Sequence, residues 1–287
     1  MRNVNHEDLT SPNWFEQYSN DITSQSGEDG ILQRIFELIP GENRWCCEFG
    51  AWDGKKYSNT YQLLANKGWS GVLIEADSKK FRELDKTFGN NRKITFLNKF
   101  VNFSGKDTLD EILQQTSIPI DFDLLSIDID GNDYHVWQSV AYYQPKVVII
   151  EYNQSIPNHV EFVQKADANI NHGNSILSIT NLGKSKGYEL VAVTDLNAIF
   201  VKSEFYNLFN LPDNSLHKLR PIASYVTDIF QLYDGTIVLS GYKKMIWHML
   251  PMKEAKLQMV PYYLRTFPGL MGSFKLTMLR ILRVFSK

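Results

Sequence analysis

Five short strand-like runs, at 44–50, 71–76, 93–97, 122–129 and 146–152, alternate with helix-like stretches, and this alternation limits the fold more than any other feature. Phe122–Ile129 and Lys146-Val-Val-Ile-Ile-Glu-Tyr152 are nearly unbroken apolar segments, the pattern of parallel strands buried on both faces. Helical periodicity covers 31–39, 58–67, 78–88, 106–116 and 133–142. A further helix at 175–186, closed by Gly187, leads into strands at 188–193 and 198–202. Only Thr194-Asp195-Leu196-Asn197 joins that last pair, too little for a crossover, so the two strands must run antiparallel. The expectation is an α/β fold: a doubly wound, mostly parallel seven-stranded sheet with a C-terminal antiparallel hairpin.

No linker, repeat or low-complexity run divides the 287 residues, so one principal domain is expected at 26–205. It is preceded by a polar arm at 1–25 and followed by a basic extension at 206–287. The polar stretch at 153–174 is too long for an ordinary strand–helix connection and reads as a substrate-facing insertion. The adjacent Cys46 and Cys47 point to opposite faces of a strand, which makes them small buried apolar residues rather than a disulfide or a metal site. The first residues, MRNVNHEDLTSPNW, lack the apolar core of a secretory leader, and no run of 18 apolar residues exists. A cytoplasmic location is expected.

The first strand ends in Glu48-Phe49-Gly50-Ala51-Trp52-Asp53-Gly54. Glycine there lets backbone approach a ligand at the carboxyl edge of the sheet, or simply makes a tight turn. Ala51 and Trp52 break the spacing of a dinucleotide fingerprint, and no P-loop Gly-Lys-Ser/Thr is present. Val72-Leu73-Ile74-Glu75-Ala76-Asp77 puts an acid at the end of the second strand, 25 residues after Gly50. Glu75 is placed to accept hydrogen bonds from both hydroxyls of a ribose, whereas Asp77 better suits a helix N-cap. Phe100-Val101-Asn102, after the third strand, can frame an adenine.

Acids crowd the ends of the fourth and fifth strands, as Asp128-Ile129-Asp130-Gly131-Asn132-Asp133 and Glu151-Tyr152-Asn153. Carboxylates brought together repel unless protonated or neutralised by a cation. Oxygen ligands of this kind suit Mg2+ or Mn2+, and no Cys/His cluster exists for zinc. The alternative is that Asp128 and Asp130 cap the next helix and line a pocket without metal. His135, His159 and His172 are either ordinary surface residues or, on the helix after strand four and in the insertion, candidates for a proton-accepting base.

Taken jointly, SQSGEDGIL at 24–32, CEFGAWDG at 47–54, VLIEAD at 72–77, LLSIDIDGNDY at 125–134 and VVIIEYN at 147–153 resemble FkbM-type class I methyltransferases. The resemblance spans roughly residues 20 to 205. It implies a Rossmann-like domain, S-adenosyl-L-methionine as cofactor, and O-methylation of a sugar hydroxyl in a glycan, nucleotide sugar or glycosylated natural product. The cofactor contacts it implies are Glu28, Asp29, Glu48, Gly50, Asp53, Asn59, Glu75, Ala76, Asp77, Val101, Asn102 and Asp128. By position, the metal ligands are Asp130, Glu151 and Asn153, with Asp128 in reserve because Asn153 follows Tyr152 where relatives often set two acidic or amide residues together. Catalysis falls to Asp130, Asp133, His135 and His159. Two other functions stay open: methylation of a phosphate-like oxygen or amine on a surface polysaccharide, and non-catalytic nucleoside binding.

Charge is uneven. Residues 243–287 hold nine Lys or Arg and one acid, a net of +8, while the other 242 residues carry −10. An acidic body of this kind is unlike a nucleic-acid binder. In Ser273–Lys287 the polar residues 273, 277, 280, 283 and 287 form one helical stripe, and apolar residues fill most of the rest. Such a helix can lie on the inner face of the cytoplasmic membrane, pack on the main domain, or join a homodimer.

Overall fold

A computed structural model describes residues 14–40 and 43–285. The chain divides into two compact units that meet in sequence between Ile222 and Ala223.

The first unit is built on α1 (Glu28–Leu38), β1 (Trp45–Phe49), β2 (Ser70–Ile74), α2 (Ser78–Phe88), β3 (Ile94–Leu97), α3 (Leu109–Leu113), β4 (Leu124–Ile127), α4 (Asp133–Ser139), β5 (Val147–Glu151), α5 (Ile176–Ser185), β6 (Tyr188–Val193) and β7 (Asn197–Lys202). Its seven strands lie in the order β3-β2-β1-β4-β5-β7-β6. The first five pair in parallel, while β7 runs antiparallel to both β5 and β6. This is a doubly wound, mostly parallel seven-stranded sheet closed by an antiparallel hairpin. Residues of β4 and of β5 through Ile150 are fully buried, which is why those segments read as apolar runs rather than as an alternation. Cys46 and Cys47 are free and buried, and burial pushes both thiols up.

Several helices are shorter than their periodicity suggests, each for a local reason. The stretch at 58–67 forms a π-helical turn only over Gln62–Asn66. Glu48 takes the Ser58 and Thr60 hydroxyls and the Asn59 N–H, which holds 58–60 out of the helix. α3 starts at Leu109 because Thr108 accepts from Glu111 N while Glu111 accepts from Asp107 N, a reciprocal cap. α4 stops at Ser139 and not at 142, because Asp110 accepts the Ala141 and Tyr142 N–H groups at 2.8 and 2.9 Å.

The arm expected at 1–25 is not a loose polar cover over its described part; residues 1–13 lie outside the described residues. Trp14 is in the core, donates from Nε1 to Val191 O at 2.8 Å, and sits 5.6 Å from the Phe209 ring. Residues 206–222, expected in the C-terminal extension, also belong to the first unit, where Phe209, Leu216 and Leu219 are buried.

The second unit holds β8 (Thr227–Gln231) and β9 (Ile237–Gly241) as one antiparallel pair and β10 (Lys244–Met245) and β11 (Leu250–Pro251) as another. Helices α6 (Leu216–Leu219), in the first unit, and α7 (Glu254–Leu257) and α8 (Ser273–Phe285), in the second, complete the described chain. Gln258 clamps β9 by accepting from Ile237 N and donating to Ile237 O.

Candidate active site

β1 lies between β2 and β4, so the chain leaves it toward one side of the sheet and returns on the other. At such a switch point the loops after the two central strands part, and a crevice opens at their carboxyl ends. Here the crevice is a cavity of about 430 Å³ lined by Glu48, Gly50, Trp52, Glu75, Ala76, Phe100, Val101, Asp128, Asp130 and Asn132, among others. Ala168 and Asn171 of the long insertion also line it. The insertion contains no helix or strand and is fixed instead by side chains: Gln164 Oε1 accepts from His172 N and Gly173 N, and Asn174 Nδ2 donates to Gly131 O.

Gly50 is where β1 and β4 come together. Its φ is +76°, and a Cβ there would lie 2.0 Å from Asp128 O, so only glycine fits. Glu75, buried at the end of β2, accepts from Trp52 N at 2.8 Å and from Asp77 N at 2.7 Å. These bonds fix the carboxylate with one N–H on each oxygen. Trp52 itself has φ +47°, and its ring is flanked by Lys56 Nζ at 4.8 Å and Lys80 Nζ at 4.6 Å.

Asp128 and Asp130, which line the cavity, and Glu151 beside them offer carboxylate oxygens within 4.8 Å of one another. Asp130 is exposed and left-handed, with φ +58°, a conformation Asp tolerates better than most residues. Asp128 and Glu151 are half-buried, with carboxylate oxygens close to each other. Burial first, then the charges of Asp133 and Asp130, push Asp128 up to about 7. Burial and the neighbouring Asp128 hold Glu151 well above the usual carboxylate range. Asn132, at the same edge, donates from Nδ2 to Asp167 O, but its buried Oδ1 has no partner.

Other residues expected at the site are placed elsewhere or are already occupied. Glu28 accepts from Thr194 Oγ1 and Asn197 Nδ2, tying α1 to the β6–β7 hairpin. Asp29 gathers the N–H groups of Ile22, Thr23 and Ser24. Asp53 closes the turn at Lys55 and Lys56, and Asp77 caps α2 through Lys79 and Lys80, which holds its carboxyl below the usual range. Asn59 turns inward to Ser126, and Asn102 donates to Lys106 O. None of these six residues lines the cavity.

The residues expected as bases and as the third metal ligand are also engaged within the protein or lie outside the cavity. Asp133 is buried, with Oδ1 on Ile129 N and Oδ2 on Gly131 N, so it organises the loop rather than meeting a substrate. Burial outweighs those bonds and pushes it up to about 6. His135 is bound through Nε2 to Gln164 O at 2.8 Å and packs beside Phe103, while His159 is exposed and outside the cavity. Asn153 spends its amide on His172 O and on the Ser155 N–H and hydroxyl. The acid whose carboxylate lies near those of Asp130 and Glu151 is Asp128.

Lys56, Tyr57, Lys80 and Lys99 also line the cavity and escape the motifs. For Lys80 a signal existed: it stands three residues after the N-cap Asp77, in the first turn of a helix that begins at the sheet's carboxyl edge.

No family model matches the sequence, and no curated protein does. Solved structures similar to the chain include the CMeT domain of a citrinin polyketide synthase, at 13% identity and TM-score 0.40, covering 70% of this chain and 60% of that one. The N-terminal domain of EvdMO1 with SAH bound is similar at 10% identity and TM-score 0.40, over 62% of this chain and 82% of that one. A SAM-dependent methyltransferase from Aquifex aeolicus is similar at 9% identity and TM-score 0.39, over 66% and 96%.

Proposed function

We propose that this chain is an S-adenosylmethionine-dependent O-methyltransferase of the FkbM type, acting on a sugar hydroxyl of a glycan, nucleotide sugar or glycosylated natural product. The observation that carries the reading is one cavity, at the β1–β4 switch point, lined by Gly50, Glu75, Asp128 and Asp130, with the Glu151 carboxylate within 4.8 Å of the last two. A carboxylate has about four lone-pair sites. Backbone N–H groups occupy one on each oxygen of Glu75, which leaves sites for the two hydroxyls of a ribose. Ala76, Phe100 and Val101 offer apolar walls for the base.

S-adenosylmethionine supplies an electrophilic methyl group on its sulfonium. Transfer forms a carbon–oxygen bond, breaks the carbon–sulfur bond, and requires that the acceptor hydroxyl lose a proton. Asp130 suits that task, because it lines the cavity and remains exposed enough to pass the proton to water. The donor set also fits a hard divalent cation, since three carboxylates crowd together. Mg2+ or Mn2+ held by Asp128, Asp130 and Glu151 would lower the pKa of an acceptor hydroxyl.

A second reading, transfer to a phosphate-like oxygen, is favoured by Lys56 and Lys80 on the same cavity. Titrating neutral and anionic acceptors with labelled cofactor separates the two. The cofactor assignment itself is tested by calorimetry with S-adenosylhomocysteine. Affinity is expected to fall at least about tenfold in Glu75→Ala, as for a lost charged hydrogen bond. Equal affinity in the two proteins would overturn the role given to Glu75.

A further inference from the structure

The unit Ala223–Lys287 hides few of its apolar side chains. Its buried apolar residues are Val226, Leu239 and Leu264 among the described ones. No residue of α8 is buried, and Phe274 and Phe285 are 78% and 85% exposed. Phe274, Ile281 and Phe285 stand at i, i+7 and i+11, which places them on one side of the helix, with Arg280 and Arg283 turned away from that side. The β10–β11 hairpin repeats the arrangement. Its tip, Ile246 to Met249, carries Trp247 at 62% exposure, and Lys243, Lys244 and Lys253 flank it in sequence.

Two separate elements of one small unit thus present exposed aromatic side chains beside cations. Residues 223–287 hold nine Lys or Arg against three acids, a net charge of +6, and one of those acids, Glu254, is paired with Lys243. We propose that this unit docks peripherally on an anionic lipid bilayer, with the hairpin tip and the Phe274–Phe285 side of α8 entering the headgroup region. Trp and Phe side chains partition into that layer, and Lys and Arg meet lipid phosphates at its surface. The same face of a second copy fits this surface less well, because it would bring +6 against +6. No helix among the described residues is long and apolar enough to cross a membrane, so the contact is a surface one.

The test is flotation of the full chain with vesicles of phosphatidylcholine alone or mixed with phosphatidylglycerol. Binding is expected only to the anionic vesicles and is expected to weaken in high salt. Arg280→Glu with Arg283→Glu, and separately Trp247→Ser with Phe285→Ser, should each reduce binding by about tenfold or more. Binding of S-adenosylhomocysteine should stay unchanged in both variants, which separates this docking from the cofactor site. Failure of the full chain to float with anionic vesicles would overturn the proposal. So would a solution dimer that both variants dissolve in a chain indifferent to lipid charge, which would make this face a self-interface.

Discussion

Two sets of acids lie close together at the carboxyl edge of the sheet, and they are treated in opposite ways. Glu48 and Asp133 are buried with their oxygens saturated by donors: Ser58, Asn59, Thr60 and Ser126 for Glu48, and the Ile129 and Gly131 N–H groups for Asp133. Asp128, Asp130 and Glu151 have one another instead of donors. A saturated carboxylate stabilises the loops around it. A crowded set carries repulsion that only a proton or a cation relieves, and folds retain such arrangements chiefly where they do chemistry. Neighbouring acids in one sequence run, Asp128, Asp130 and Asp133, therefore divide into scaffold and reactive groups according to what they face.

The sharpest way to break this division is Glu151→Gln. Replacing one acid of the crowded set by a neutral amide adds no repulsion, so the chelated variant should be no less stable than wild type in thermal melts. Methyl transfer should nevertheless fall by about a thousandfold, on the order of 4 kcal/mol of activation free energy, if Glu151 helps hold a cation that activates the acceptor. Activity that survives both the substitution and EDTA would return the trio to an orienting role without metal.

Glu48→Ala should behave in the reverse manner. It orphans the Ser58 and Thr60 hydroxyls and the Asn59 N–H beneath the first loop. Denaturant melts should show a loss of roughly 3 kcal/mol, the scale for several buried donors left unpaired. Burial holds the Glu48 carboxyl above its ordinary range despite its four donors, so part of that loss is offset by removing a costly charge. Stability equal to wild type would show that the donors find other partners and that Glu48 is not scaffold.

The same contrast explains what could be read from the sequence. Strand ends were legible, because buried parallel strands leave continuous apolar runs, and a residue just past such a run must lie at the sheet edge. Gly50, Glu75, Asp128, Asp130 and Glu151 are all of this kind. What a side chain does once it reaches the edge depends on donors far away in sequence. Glu28 is spent on Thr194 and Asn197, more than 160 positions on, and nothing in the SQSGEDGIL run signals that. Asn153 looked like a ligand by position but closes a turn with Ser155. Helix lengths were overread for the same reason. Asp110 ends α4 from the neighbouring helix, and Glu48 holds 58–60 out of the π-helical turn.

The smallest expected effect is also the one that reports on both acid sets together. Asp128 is raised from its ordinary 3.8 to about 7, Asp133 to about 6, and Glu151 and Glu48 are raised as well. Between about pH 4 and 7 the folded protein then keeps protons that the unfolded chain has released. Fewer protons on the unfolded state mean that stability falls as pH rises through this window. In chelated protein the thermal midpoint should therefore climb by a few degrees as pH is lowered from about 8 to about 5. Below about pH 4 the trend should reverse, because Asp77, Asp167 and Asp213, held below the usual range by N–H donors, lose their charge there. Adding Mg2+ should flatten the upper part of the curve, since a cation on the crowded set replaces the proton there, while Glu48 and Asp133 keep their share of the slope. Calorimetric scans across pH with and without Mg2+ measure both parts. A midpoint that rises steadily from pH 5 to 8 in chelated protein would mean the crowded carboxylates find donors in solution, and the distinction between the two sets would fail.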